Sequence, residues 1–312
     1  ALALGCVLAA LALPGNAAFW RRMHAQPEGT FAAGGEDRSG VVFYREAPQP
    51  GGERPGAFFI MGFAQGAVPF HEWHVLLGAL GPLLHPAPER VLAIGVGSGG
   101  TPWGAVVSPE TREVRAIELI GPVLGTLHRI AEARPEGAVA ALLADPRVAL
   151  EHGDGRRALA RDDGARYDVI EADAIMPQTS HSGLLYSAEF LRAARARLKT
   201  GGLYVQWAPT ARVVETFAAV FPHAVLLSPF PVMVGSDRPI PFDHAELLRR
   251  LDSPEVLAHA RRGNPGIKSL AELVAGPAHV WSPDTERDPA PLTDMFPRDE
   301  FFANQPWMDA RR

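Results

Sequence analysis

RVLAIGVGSGGT, residues 90–101, is an apolar run that stops on a glycine-rich turn. Val91, Leu92, Ala93 and Ile94 read as a parallel strand buried on both faces, where apolar residues run without alternation. Gly95, Gly97, Gly99 and Gly100 let the backbone turn tightly and come close to a ligand. Thr101 and Pro102 then open a helix, with proline at a first-turn position that needs no amide donor. Strand, turn and helix in this order form a nucleotide cradle, with backbone N–H groups and the helix N-terminus facing the ligand.

Downstream, strand and helix alternate. EVRAIEL (113–119) is a second strand carrying Glu118 near its end, about twenty residues past the glycines, the spacing at which an acid takes ribose hydroxyls. VALEHGDG (148–155) is a third, closing on Asp154 and Gly155, and YDVIEAD (167–173) is a fourth, ending on Asp173. A helix over 187–199 stops at Thr200, Gly201 and Gly202. LYVQWAP (203–209) is a fifth strand, and apolar runs over 224–227 and 232–235 form an antiparallel pair that closes the sheet. The fold class is α/β, a doubly wound, mainly parallel sheet whose ligands bind beyond the carboxyl ends of its strands. Singly, each of these acids reads equally as a helix cap or a solvated loop charge. Three in succession, on the edge that carries the glycine turn, make that edge functional.

Upstream, GVVFYRE (40–46) and AFFIMG (57–62) form a small β hairpin, and residues 71–80 have helical spacing. Gln65, His71 and His74 are the polar candidates of this unit. From Asp243 the chain is amphipathic and helical through DHAELLRRL, SPEVLAHARR and IKSLAELVAG. Residues 279–312 are rich in proline, charge and aromatics that pin a tail onto the domain or cover its ligand edge. The expected organisation is an apolar segment (1–22), a β unit (36–66), a nucleoside-binding domain (67–240) and C-terminal helices with a tail (241–312).

Composition limits the reading further. The 312 residues are 47% hydrophobic and 21% charged, which is globular, and a net charge of −5 leaves no footprint for nucleic acid. The single cysteine, Cys6, allows no internal disulfide and suits a cytoplasmic catalytic part. ALALGCVLAALAL (1–13) is too short to span a bilayer by itself. With Arg21 and Arg22 following, it reads as the end of a longer membrane helix with the catalytic domain on the cytoplasmic face. A cleaved secretory signal, or a buried helix of a soluble cytoplasmic protein, are the alternatives.

Taken together, HPAPERVLAIGVGSGGT, AIEL, GDGR, YDVIEAD and LLYSAEFLRAARARLKTGGLYVQW resemble, in order and spacing, the spermidine synthase (polyamine aminopropyltransferase) family. That family has the fold of class I S-adenosylmethionine-dependent methyltransferases. EDRSGVV, the apolar start and LTDMFPRDEFF resemble its bacterial membrane-fused branch. The resemblance implies polyamine biosynthesis: transfer of the aminopropyl group of decarboxylated S-adenosylmethionine, a co-substrate, to an amine, with no metal and no permanently bound cofactor. It implies that Gly95, Gly97 and Gly99 line the nucleoside, Glu118 holds the ribose hydroxyls, and Asp154 with Gly155 meets the adenine. Gln65 and His74 would flank the sulfonium side chain, and Asp173 would be the general base. A homodimer is allowed for. Val75 and Met176 stand where the family carries acids for the far end of a diamine, Ser98 replaces an acid of the glycine turn, and Ile120 replaces another beyond Glu118. An acceptor other than putrescine is expected. Methyl transfer from intact S-adenosylmethionine, or a non-catalytic nucleoside-binding module, are the alternatives.

Overall fold

The structure, a computed structural model, describes residues 13–47, 55–161, 164–173, 175–176, 179, 181–285 and 291–300. Its strands are β1 (Ala32–Asp37), β2 (Gly40–Glu46), β3 (Gly56–Ile60), β4 (Phe63–Val68), β5 (Arg90–Ile94), β6 (Glu113–Glu118), β7 (Val148–His152), β8 (Tyr167–Ala172), β9 (Leu198–Trp207), β10 (His223–Leu227), β11 (Val232–Ser236) and β12 (His279–Trp281). β5 to β12 form one sheet in the order β12-β10-β11-β9-β8-β5-β6-β7. The run from β9 to β7 is parallel, and β11, β10 and β12 add antiparallel neighbours beside β9. From β5 the chain winds outward through β6 and β7, then returns to the other side of β5 with β8 and β9. The order therefore reverses between β5 and β8, and a sheet of this type opens a crevice for ligands at that point.

Apolar residues bury on both faces because helices cover both. Val91, Ala93, Val114, Ala116, Val169 and Val205 pack on one side with Leu76, Leu80 and Leu127. Leu92, Ile94, Ile117, Ile170 and Tyr204 pack on the other with Phe190, Phe217 and Phe221. Each fully buried leucine here contributes roughly 2 kcal/mol. Helix Glu72–Leu84 runs a turn further than its periodicity indicates, through Pro82, because Leu80 and Leu83 remain core residues. It lies close to helix Gly100–Ala105: a Cβ on Gly78 would stand 2.0 Å from the Thr101 carbonyl oxygen.

Three expectations need correction. The N-terminal hairpin is the middle of a four-stranded antiparallel sheet, β1-β2-β3-β4, because AAGGED and FAQGAV supply outer strands despite their small residues. The helix expected over 187–199 is Ala188–Arg195, capped by Ser187, whose Oγ accepts the Phe190 N–H. Residues 198–202 belong instead to β9, where Leu198 pairs with Tyr167 and Lys199 reaches Asp168 at 2.9 Å. Within IKSLAELVAG only the 3-10 turn Ala271–Val274 is helical, with Asp252 accepting the Leu270 and Ala271 N–H groups.

The small sheet is tied to helix Pro122–Ala133 and the residues around it: Gly121 N–H donates to Ser39 Oγ, Arg129 to the Gly34 carbonyl, and Arg134 to buried Glu46 at 2.7 Å. At the other end, Arg156 pairs with Asp294, Arg212 with Asp299, and the His181 N–H donates to Glu300. Among the described residues no helix is long and apolar enough to cross a membrane. Residues 1–12, on which the membrane-segment expectation rests, lie outside the described residues, as do Phe301, Phe302 and Trp307 of the tail.

Candidate active site

The glycine turn leaves β5 with positive φ at Gly95 (100°), Gly97 (55°) and Gly99 (104°), conformations that side chains resist. Gly95 abuts the end of β8, where an added Cβ would lie 2.9 Å from the Asp173 carbonyl oxygen. A Cβ on Gly97 would meet nothing among the described residues within 4 Å, which leaves room at this point of the turn. Glu118, at the end of β6 and buried, fastens the turn. Its Oε2 accepts the N–H groups of Val96 and Gly97 at 3.0 and 3.1 Å, and its Oε1 accepts the Ile120 N–H at 2.8 Å. Three charge-assisted bonds of about 1.5–3 kcal/mol each hold this carboxylate in place.

Asp173 follows β8 across the point where the strand order reverses, and its N–H donates to the Ile94 carbonyl at 3.0 Å. Thr101, fully buried at the start of the helix after the turn, donates its hydroxyl to Asp173 Oδ2 at 2.9 Å. The His74 Nε2 stands 4.0 Å from Asp173 Oδ1, and both side chains keep some exposure, 16% and 20%. One carboxylate, oriented by a hydroxyl and flanked by an imidazole, thus stands at the end of β8 beside the glycine turn. Tyr186, beneath it, donates its hydroxyl to the Ile175 carbonyl at 2.8 Å. Burial first, and the Asp173 charge second, push its phenol pKa well up.

Asp154 has its oxygen on the Arg156 and Arg157 N–H groups at 2.9 and 3.3 Å, capping helix Gly155–Ala160. Gly155 lets this loop close on β5, since a Cβ there would meet Ile94 Cγ2 at 2.5 Å. A cavity of about 220 Å³ takes in Asp154, Ile117 and Arg157 but neither the turn nor Asp173. Gln65 is the unpaired residue where the β3–β4 register slips, and its amide donates to the Ile60 carbonyl at 3.4 Å. No hydrogen bond among the described residues joins it to His74 or Asp173. Its neighbour Gly66 does reach the turn, where an added Cβ would lie 2.7 Å from Ser98 Oγ.

Of the two uncharged replacements, Val75 lies fully buried in the core while Met176 is 40% exposed. Thr101 was legible as a helix opener but not as the partner of Asp173, which depends on the β5–β8 adjacency. Ser98 Oγ is buried with no partner among the described residues, and so are both carboxyl oxygens of Glu171. Nothing in the sequence signals either.

Residues 71–216, which hold most of these groups, match the spermine/spermidine synthase domain. Over this stretch, just under half of the chain, the sequence is similar to that family. The polyamine aminopropyltransferase of Leptospira biflexa is 32% identical over 133 residues, 43% of this chain and 45% of the relative. That of Thermococcus kodakarensis is 28% identical over 184 residues, 54% of this chain and 63% of the relative. The match thus spans less than half of the first relative's length. Among solved structures, spermidine synthase from Thermotoga maritima aligns with a TM-score of 0.54 at 22% identity, covering 71% of this chain and 78% of that one. A spermidine synthase in complex with the transition-state analogue AdoDATO aligns with 0.58 at 20% identity, covering 78% and 85%. At these identities the synthase structures establish the shared fold.

Proposed function

We propose that this chain is an aminopropyltransferase-like enzyme, with residues 67–240 as its catalytic unit, moving the aminopropyl group of decarboxylated S-adenosylmethionine to an amine. The observation that carries the reading is Asp173, oriented by Thr101 and flanked by His74, beside a glycine turn fastened by Glu118. An amine attacks the carbon beside a sulfonium only through an unprotonated nitrogen, so a carboxylate within reach must take its proton. Asp173 fills that role as general base. Glu118, whose lone pairs are not exhausted by three amides, accepts the ribose hydroxyls, and Asp154 and Gly155 border the adenine. Gln65 and His74 flank the transferred chain. Holding donor and acceptor in line supplies much of the remaining acceleration.

Met176 is uncharged and partly exposed and Val75 is sealed in the core, which favours an acceptor other than a diammonium ion such as putrescine. The same observation keeps methyl transfer from intact S-adenosylmethionine as the second reading, since fold does not fix reaction. Calorimetry with decarboxylated S-adenosylmethionine, S-adenosylmethionine and methylthioadenosine, followed by turnover with a panel of mono-, di- and polyamines, separates them. Tightest binding of the decarboxylated donor, with aminopropyl transfer to an amine, is expected. Methyl transfer alone would establish the second reading, binding without any transfer would leave a non-catalytic nucleoside-binding module, and no binding of any of the three would overturn all of these readings.

A further inference from the structure

Glu171 is the acid that the proposed reaction does not use. It sits on β8 two residues before Asp173 and therefore on the same face of the sheet. Its side chain is fully buried, and neither carboxyl oxygen has a hydrogen-bond partner among the described residues. Ala93 of β5 and Val205 of β9, its register partners, bring no charge. Helix Glu72–Leu84 seals it from above: a Cβ on Gly81 would stand 3.2 Å from Glu171 Oε1 and 2.3 Å from Val169 Cγ1. The titratable group that helix brings to this face is His74, 4.0 Å from Asp173 rather than on Glu171. Among the described residues, the charged group acting on Glu171 is Asp173 itself.

A carboxyl group so placed favours its protonated form: burial first and the Asp173 charge second raise its pKa well above the ordinary 4.5. A buried carboxyl group near a second carboxylate resists ionising, and a cation arriving beside them eases that cost. On the proposed function, the arriving donor is a cation twice over, a sulfonium and an ammonium.

We propose that Glu171 is a latent counter-charge, which gives its proton to solvent when a cationic donor occupies the site beside Asp173 and so supplies the second carboxylate. The step is a simple ionisation: the Glu171 O–H bond breaks, the electron pair stays on the carboxylate and the proton passes to buffer. Donor binding is then linked to proton release, and a neutral nucleoside binds without it.

Calorimetry of the full chain near neutral pH, in buffers of different ionisation enthalpy, reads this proton count. For the wild type we expect about one proton released per decarboxylated S-adenosylmethionine and none per methylthioadenosine. In Glu171→Gln the release on donor binding is lost and donor affinity falls about tenfold, while methylthioadenosine affinity is unchanged. Glu171→Leu, which matches the apolar surroundings, provides the same comparison if the amide does not fold. Equal proton counts in wild type and variant, or no release by the wild type, would overturn the inference while leaving the function reading intact. Failure of methylthioadenosine itself to bind the wild type would overturn both.

Discussion

Glu118 and Glu171 end up buried at the same edge of one sheet, and their fates differ because of what surrounds them. Glu118 meets three amide donors, so Glu118→Ala orphans the turn as well as removing the proposed ribose acceptor. A loss of about 3 kcal/mol in denaturant-measured stability is expected, and methylthioadenosine binding measured by calorimetry should weaken at least as much. Unchanged values for both would show that the carboxylate fastens nothing. Among the described residues Glu171 meets no donor, so Glu171→Leu should stabilise the fold, and the gain depends on pH. The folded-state pKa of Glu171 lies above its ordinary 4.5, so its contribution is fully present below that value and fades as pH rises through the folded pKa. The advantage of Glu171→Leu should therefore grow above pH ~4.5 by up to about 1.4 kcal/mol per unit, the slope for one proton. Thermal melts across the acid-to-neutral range will read it, and a flat difference would mean that Glu171 is charged or solvated. Glu118 was legible as a candidate because an acid about twenty residues beyond a glycine turn has the spacing of a ribose acceptor. Glu171 was not, because an acid inside YDVIEAD looks the same whether its face of the strand meets solvent or a helix.

At the scale of elements, the glycine turn is held from two sides, by Glu118 below and by β4 above, where Gly66 leaves just enough room for Ser98. Gly66→Ala would bring a methyl group within 2.7 Å of Ser98 Oγ and 2.9 Å of its Cβ, forcing the turn or the strand aside. Adenosyl affinity should drop about tenfold, and Ser98→Gly in the same chain should restore most of it. A double mutant no better than Gly66→Ala would show that the contact does not set the turn. The parallel strands were all read from sequence, because short apolar-rich runs alternating with helical stretches have few other interpretations. The outer strands of the small sheet escaped notice for the opposite reason: AAGGED and FAQGAV have little β-propensity and are strands because β2 and β3 pair with them. Pairing also overrides the helix stop expected at Gly201 and Gly202, since β9 recruits the residues from Leu198 onward to lie along β8.

Across the whole molecule, the reversal of strand order between β5 and β8 does the most for function, because it sets the end of the glycine strand beside Asp173. Repeated strand and helix units already implied such a crevice, but which strands flank it depends on the sheet order. The tail completes the other side of the fold. Asp299, almost fully buried, accepts from the Thr210 hydroxyl and from Arg212. Asp299→Ala leaves both unpaired and should cost about 2 kcal/mol in chemical denaturation, whereas a cost near zero would make the tail a passive appendage. The central claim concerns one carboxylate and is tested most directly by the aminopropyl-transfer rate of Asp173→Asn at saturating donor and acceptor, relative to the wild type. The amide keeps the shape and the Thr101 contact but cannot take the proton, so the rate should fall by about 10²-fold or more, with methylthioadenosine still bound as in the wild type. A rate within a few-fold of the wild type would contradict the account.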